Sequence, residues 1–270
     1  MNYSFMTFSC PKFSLNQLLE TARRYGYDGI EPRIFSRHKH GIEIDMPPGR
    51  RAEIKKQAAE SGIVFSCIAT SCVYANPETS VLNVTGTLQC IDLAADVGAP
   101  AIRVFGGRLG KDLSRADAIK LVAESLHAIA DHARERNVTV CMETHDDWCD
   151  PLHVAAVMQQ INHPAIAVNW DIMHPVRMKL ATMEKAFEIL KPWIRHLHVH
   201  DGLANGNLVP IGRGIIDHKL AIDRLLSINY RGFLSGEWIN WSDAYDVHLP
   251  RELDTMKRYE KEVIKAKNCN

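Results

Sequence analysis

Apolar positions along the chain fall into two patterns that take turns. "YSFMTFSC" (3–10) is a short apolar run of strand type. "SLNQLLETARRYG" (14–26) instead repeats Leu15, Leu18, Leu19 and Ala22 at the i, i+3, i+4, i+7 spacing of a helix face. Ser14 or Asn16 is suited to cap that helix, and Gly26 to end it. The alternation then continues to the end of the chain. Strands are expected at "YDGIEPR", "IVFSCIAT", "APAIRVFGG", "VTVCMETH", "AIAVNWD", "IRHLHVHD" and "GFLSGEW". Between them the helical segments are "GRRAEIKKQAAESG", "TLQCIDLAADVG", "RADAIKLVAESLHAIADHARERN", "PLHVAAVMQQIN", "TMEKAFEILKP" and "KLAIDRLLSINY", and a last helix is expected around 250–266.

Strict strand–helix alternation implies parallel strands joined by right-handed crossovers. Eight such pairs in 270 residues predict an α/β fold of the closed (β/α)8 type, a TIM barrel, with 1–270 as a single domain. An open doubly wound sheet would favour a glycine-rich phosphate loop after the first strand, and "SCPKFSL" is not one.

Composition narrows the partners. Lysine and arginine number 32 and aspartate and glutamate 32, so no broad basic or acidic footprint for nucleic acid or membrane is expected. The seven cysteines (10, 67, 72, 90, 141, 149, 269) are scattered and never spaced CxxC, so neither a disulfide framework nor a thiolate zinc site is implied. Cys67, Cys90 and Cys141 lie in apolar stretches and read as small buried residues. The N-terminus lacks a basic region followed by a long apolar run, and a cytoplasmic protein is expected. Homo-oligomerisation is left open.

The chemistry of a barrel of this kind sits at the C-terminal ends of its strands. The fifth strand ends "CMETHDD", with Glu143, His145, Asp146 and Asp147. The sixth ends "VNWDIMH", with Asp171 and His174, the seventh ends "HLHVHD", and the eighth ends "GEW", with Glu237. The first four strands deliver Cys10, Glu31, Thr70 and Arg103 or Arg108 instead. Glu143, Asp171 and Glu237 in one pocket would repel one another without a cation. Three carboxylates and one imidazole suit one divalent ion, Mn²⁺ for preference, with Mg²⁺, Co²⁺ or Zn²⁺ as alternatives. Period-two alternation gives His196, His198 and His200 one shared face at different depths. His196, the deepest, reads as structural.

These strand-end motifs, with "ETARRYGYDGIEPR", "AADVGAPAIRVFGG" and "IGRG", resemble the sugar phosphate isomerase/epimerase group of the xylose-isomerase-like (β/α)8 barrels. The resemblance runs over nearly the whole chain. It implies metal ligands at Glu143, Asp171, His198 and Glu237, and substrate contact at His174. It also implies a sugar, sugar-phosphate or polyol substrate that is isomerised or epimerised. Glu143 and Glu237 would move the proton through a metal-stabilised enediolate. Two departures stand out. His200 occupies the position where relatives show lysine in a His-x-Lys-Asp element. Cys149 occupies the position of a further substrate glutamate of ketose 3-epimerases.

Other candidates have bland readings beside functional ones. Glu31 touches substrate or pairs with Arg33 or Arg103. His145 and His200 contact substrate, with His200 and Asp201 as a pair at the rim. Arg108 and Arg213 bind an anionic or hydroxyl-rich substrate end, or are solvated surface arginines. Trp148, Trp170, Trp238 and Trp241 wall the sugar ring or simply pack. An inosose-type dehydratase shares the first proton abstraction and is the main alternative. A nuclease of the apurinic endonuclease type would need histidines after the third and fourth strands, where "IATSC" and "VFGG" have none. A non-catalytic metal or sugar binder would bind metal without proton exchange.

Overall fold

The computed structural model describes residues 1–269. Its barrel wall consists of β1 (Asn2–Met6), β2 (Gly29–Glu31), β3 (Val64–Phe65 and Ile68–Ala69), β4 (Ala101–Phe105), β5 (Thr139–Glu143), β6 (Ile166–Asp171), β7 (Ile194–Val199) and β8 (Phe233–Gly236). Starting from the first half of β3, the order around the wall is β2, β1, β8, β7, β6, β5, β4 and the second half of β3, and these pairings are parallel. The two ends of the sheet are thus consecutive pieces of one strand, and the expected (β/α)8 barrel is formed. The strand expected over "IVFSCIAT" is interrupted at Ser66 and Cys67: Phe65 pairs with Ile30, whereas Ile68 pairs with Ile102.

Helices α1 (Leu15–Tyr25), α2 (Pro48–Ser61), α3 (Ser80–Val97), α4 (Arg115–Glu135), α5 (Pro151–Ile161), α6 (Met183–Leu190), α7 (His218–Ser227) and α8 (Tyr245–Asn268) surround the wall. Ser14, not Asn16, caps α1, in a reciprocal box with Gln17, and Gly26 ends the helix at φ 83°. Two helices start earlier than expected. Helix α3 begins at Ser80 rather than Thr87; its extra turns, "SVLNVTG", include the β-branched Val81, Val84 and Thr85 and leave Val81 and Leu82 exposed, so no apolar stripe announces them. Helix α8 begins at Tyr245 and runs through Pro250, a residue that reads as a breaker but falls early in the helix. Among the described residues no helix is long and apolar enough to cross a membrane.

The main core lies between wall and helices, where Leu18, Ile91, Leu126, Val157 and Phe187 bury their side chains. Each such burial is worth about 1.5–3 kcal/mol, so the outer layer carries most of the hydrophobic stabilisation. A separate small cluster is made of Cys67, Ala101, Cys141 and Ala167 from β3 to β6 and their edges. Two residues further along three of these strands, on the same face, stand Arg103, Glu143 and Asn169. The inner face therefore changes from small and apolar to polar and charged toward the C-terminal ends.

Candidate metal centre

Glu143 ends β5, Asp171 ends β6, His198 lies in β7 and Glu237 follows β8; all four are buried. Ligand-type atoms of the four lie within 4.8 Å of one another. His198 Nδ1 is 2.8 Å from Glu143 Oε1 and 3.4 Å from Glu237 Oε2. Donors bound at about 2.1 Å to one divalent ion stand roughly 3.0–3.4 Å apart, so this spacing fits an ion with little adjustment.

Both ring nitrogens of His198 face carboxylates, Nε2 at 3.0 Å from Glu31 Oε1 and Nδ1 at 2.8 Å from Glu143 Oε1. With the hydrogen on Nε2, donated to Glu31, the lone pair of Nδ1 is available to an ion beside Glu143 and Glu237. Without a metal, burial pushes His198 down, but Glu143, Glu31 and Glu237 outweigh it and lift its pKa well above the usual histidine range. Burial pushes Glu237 up, yet His198 and His200 bring it down to about 2. Burial likewise opposes Asp171, and His174 and His200 hold it well below the usual carboxylate range. Asp171 and Glu237 thus stay ionised, and the donor set fits a divalent cation. Asp171 Oδ1 accepts the backbone N–H groups of Met173 and His174, and Thr144 Oγ1 bonds the Asp171 backbone, which fixes this carboxylate against the end of β5.

The neighbours depart from expectation in informative ways. Glu31 pairs with neither Arg33 nor Arg103. It is fully buried, and its two oxygens take Nε2–H of His196 at 2.8 Å and of His198 at 3.0 Å, across the barrel from β7. Glu31 is therefore a holder of histidines rather than a group open to substrate. Burial pushes it up, and the two imidazoles bring it well below the usual carboxylate range. His196 is structural as read. His200 is buried rather than at the rim, with Nε2 2.8 Å from Asp171 Oδ2 and Nδ1 3.1 Å from the Glu237 carbonyl oxygen. It does not pair with Asp201, whose carboxylate accepts backbone N–H groups from Gly202, Gly212, Gly214 and Ile216 and thereby holds the "IGRG" loop. β7 ends at Val199, and Asp201 already belongs to a short antiparallel ladder in which it pairs with Val209.

His174 and His145 stack edge to face at 4.6 Å, and His174 Nε2 lies 3.6 Å from Asp171 Oδ2. His145 Nδ1 lies 3.1 Å from Asp146 Oδ1; burial opposes the charge, but Asp146 and Glu143 raise its pKa to about 9. Arg108 and Arg213 are exposed, and neither makes an ion pair among the described residues. Trp148, Trp170 and Trp238 are buried and pack; Trp241 is half-buried. Cys149 is buried, with its thiol donating to the Asp146 carbonyl.

Sequence reasoning missed two features. Arg103 is fully buried, with Nε 3.2 Å from Glu143 Oε2 and a second nitrogen bonded to the Thr70 carbonyl. Its place in β4, two residues after Ala101 on the inner face, was the available signal. The loops after β1, β2 and β8 enclose a groove of about 680 Å³, where Phe8 and Trp241 stand beside Lys12, Arg37 and Lys39, none of which makes an ion pair among the described residues. These residues are scattered in sequence and carry no shared motif.

A family model of the xylose isomerase-like TIM barrel matches residues 19–259. No curated protein matches the sequence. Among solved structures, an L-ribulose 3-epimerase aligns with a TM-score of 0.81 and 18% identity, over 100% of this chain and 98% of its own. A probable 3-DHS dehydratase from Bacillus anthracis aligns at 0.79 and 21%, over 95% and 99%. The 3-keto-D-glucoside 4-epimerase of E. coli aligns at 0.78 and 16%, over 96% and 99%. At these identities the likeness is one of fold.

Proposed function

The chain belongs to the xylose isomerase-like TIM barrel family, and on that premise we propose that it is a metal-dependent isomerase or epimerase of a small sugar or polyol, acting as one barrel domain. The observation that carries this reading is the convergence of Glu143, Asp171, His198 and Glu237, with His198 Nδ1 turned into the cluster. A divalent ion held by these four residues, Mn²⁺ for preference, would supply Lewis acidity toward a carbonyl and its neighbouring hydroxyl.

The chain's own groups do the rest. Glu143 and Glu237 come from β5 and β8, separated by β6 and β7, and so flank a bound substrate from two sides. One removes the proton α to the carbonyl as general base. Return of a proton to the opposite face of that carbon gives the epimer, and return to the adjacent carbon gives the isomer. His174, partly open to solvent, is available to a substrate oxygen.

Dehydration is the second reading, and one observation favours it. His145, protonated at neutral pH because Asp146 and Glu143 outweigh its burial, is an acid able to accompany expulsion of a β-hydroxyl. Both readings begin with the same proton transfer. Incubation with Mn²⁺ and a panel of ketoses and inososes in deuterated water therefore tests them together. Exchange that vanishes in Glu143→Gln and Glu237→Gln supports the mechanism, and full exchange in both variants refutes it. Analysis of the products separates an epimer or isomer from a dehydrated compound.

A further inference from the structure

The groove between the loops after β1, β2 and β8 has no part in the chemistry derived so far. Its volume of about 680 Å³ is that of a small-molecule site. It starts beside the metal cluster: Ile239, two residues beyond Glu237, and Phe8, two beyond the end of β1, both line it. β1 pairs with β8 on one side and β2 on the other, so the three loops are neighbours around the barrel mouth.

Charge is unevenly spread over that mouth. The ends of β5, β6 and β8 bring Glu143, Asp171 and Glu237 together, whereas the groove gathers Lys12, Arg37 and Lys39. All three cations are exposed. Asp243 is the carboxylate among the lining residues, and Arg251 binds its Oδ2 at 2.6 Å, so it neutralises none of them. Burial holds His38 and His248 below the ordinary histidine pKa, so at neutral pH the lysines and the arginine set the sign. In a chain with 32 basic and 32 acidic residues, such a local excess does not follow from composition.

The loops that carry the cations are braced. Lys39 N–H donates to the Pro11 carbonyl at 2.9 Å, which ties the loop after β2 to the one bearing Lys12. Thr7, just past β1, is hydrogen-bonded to His38 Nδ1 at 2.9 Å and accepts the Arg33 N–H at 2.9 Å. Between these anchors Phe35 and Arg37 adopt left-handed backbone, at φ 61° and 58°, which non-glycine residues keep only where the surroundings enforce it. The Glu43 carboxylate fixes the Phe35 N–H at 3.0 Å. Trp241 and Phe8 add flat apolar walls, suited to the C–H face of a sugar chain.

On the reading that the protein is a metal-dependent sugar isomerase or epimerase, we propose that its substrate is anionic. A phosphate or carboxylate at the end remote from the carbonyl lies in this groove against Lys12, Arg37 and Lys39. The carbonyl and its neighbouring hydroxyl face Glu143 and Glu237, and the carbon chain passes Trp241. Lys12 and Lys39 act as point charges, while the Arg37 fork can take two oxygens at once. Being remote from the reacting carbons, they hold ground state and transition state alike and so act on KM rather than kcat. Arg108 and Arg213, which the sequence offered for an anionic end, are not among the residues lining the groove.

Fructose, tagatose and psicose, each in three forms that differ only at C6, test this: the free ketose, the 6-phosphate and the acid with a C6 carboxylate. Solvent-deuterium exchange with Mn²⁺ present gives kcat and KM for each form. One charged form is expected to exceed its free ketose in kcat/KM by at least about tenfold, through KM, and the two charged arms identify the anion. Lys12→Gln, Arg37→Gln and Lys39→Gln should each raise KM for that form by about three- to tenfold, because solvent screens part of a charge-assisted bond. The triple variant should erase the preference, and high salt should narrow it. Free ketoses used as well as the charged forms overturn the proposal and leave the isomerase reading standing. A preference that survives the triple variant also overturns it. Exchange absent from every form refutes the isomerase reading instead, and the groove is then judged by calorimetry of the 6-phosphates and acids with Mn²⁺-treated protein. Binding lost in the triple variant supports the groove; no binding, or binding kept in that variant, overturns it. The three side chains are exposed, so the variants are expected to fold.

Discussion

Glu31 is the residue whose replacement probes the site most sharply while leaving all four proposed ligands in place. Glu31→Gln keeps the shape of the side chain but removes the charge that accepts from His196 and His198. A hydrogen bond to a charged group contributes about 1.5–3 kcal/mol, and one to a neutral group about 0.5–1.5 kcal/mol. The bond aiming His198 thus weakens by about 1–1.5 kcal/mol, close to tenfold in an equilibrium constant. That is the lower bound, reached when the amide oxygen faces His198. If the amide NH₂ faces it instead, His198 must move its hydrogen to Nδ1, and the lone pair aimed at the cluster is gone. Residues that support metal ligands in this way typically cost 10–100-fold in affinity when replaced, about the same range. Titration calorimetry of Mn²⁺ into the metal-free variant is therefore expected to show at least about tenfold weaker binding. A folded Glu31→Gln protein that binds Mn²⁺ as tightly as the unaltered chain would refute the reasoning.

Other outcomes follow from the same contacts. Glu143→Gln and Glu237→Gln are each expected to slow solvent exchange of substrate by about 10²–10⁴-fold, read by NMR. Arg103→Met strips Glu143 of its buried partner and should cost about 3–5 kcal/mol in metal-free protein; Mn²⁺ replaces that charge, so the fall in melting temperature should shrink when metal is added. His198 and His200 are raised in the folded state despite their burial, His198 chiefly by Glu143 and His200 by Asp171. Their protonation therefore stabilises metal-free protein fully below about pH 6.5 and is lost as pH climbs through the folded values. Metal displaces that proton, so Mn²⁺ affinity should tighten with rising pH, and a pH-independent affinity would contradict the assignment. Asp201→Ala removes the acceptor of four backbone N–H groups; faster amide exchange at Gly212, Gly214 and Ile216, with β7 unchanged, is expected.

The barrel and the identities at its strand ends could be read from the sequence because both follow from periodicity. Alternation of strand and helix fixes parallel topology, and period two fixes which strand residues face inward. Partnerships across the barrel could not be read. Glu31 meets His196 and His198, and Arg103 meets Glu143, because strand stagger sets which residues share a height, and stagger leaves no mark in the local pattern. His200 and Asp201 do not pair because the strand ends at Val199 and Asp201 enters a separate ladder with Val209, a change of direction that carries no periodic signal. The early turns of α3 were invisible because Val81 and Leu82 are exposed, which leaves only Val84 facing the core and no stripe to be seen.

The interruption of β3 gives the ring a clasp. Val64 and Phe65 hold β2, Ile68 and Ala69 hold β4, and a single bridge joins Arg33 to Ala69, whereas β5 pairs with β4 over five residues and with β6 over four. Breathing of the ring is therefore expected to start at Ser66 and Cys67, where amide exchange should outpace that of β5 to β7. The four proposed ligands are mounted on the opposite arc, β5 to β8, and would stay together through such an opening. Glu31 would not, since β2 is one of the two strands the clasp secures. Each opening would lift Glu31 from His198, so the looseness of one short strand sets how steadily His198 is aimed at the proposed metal site.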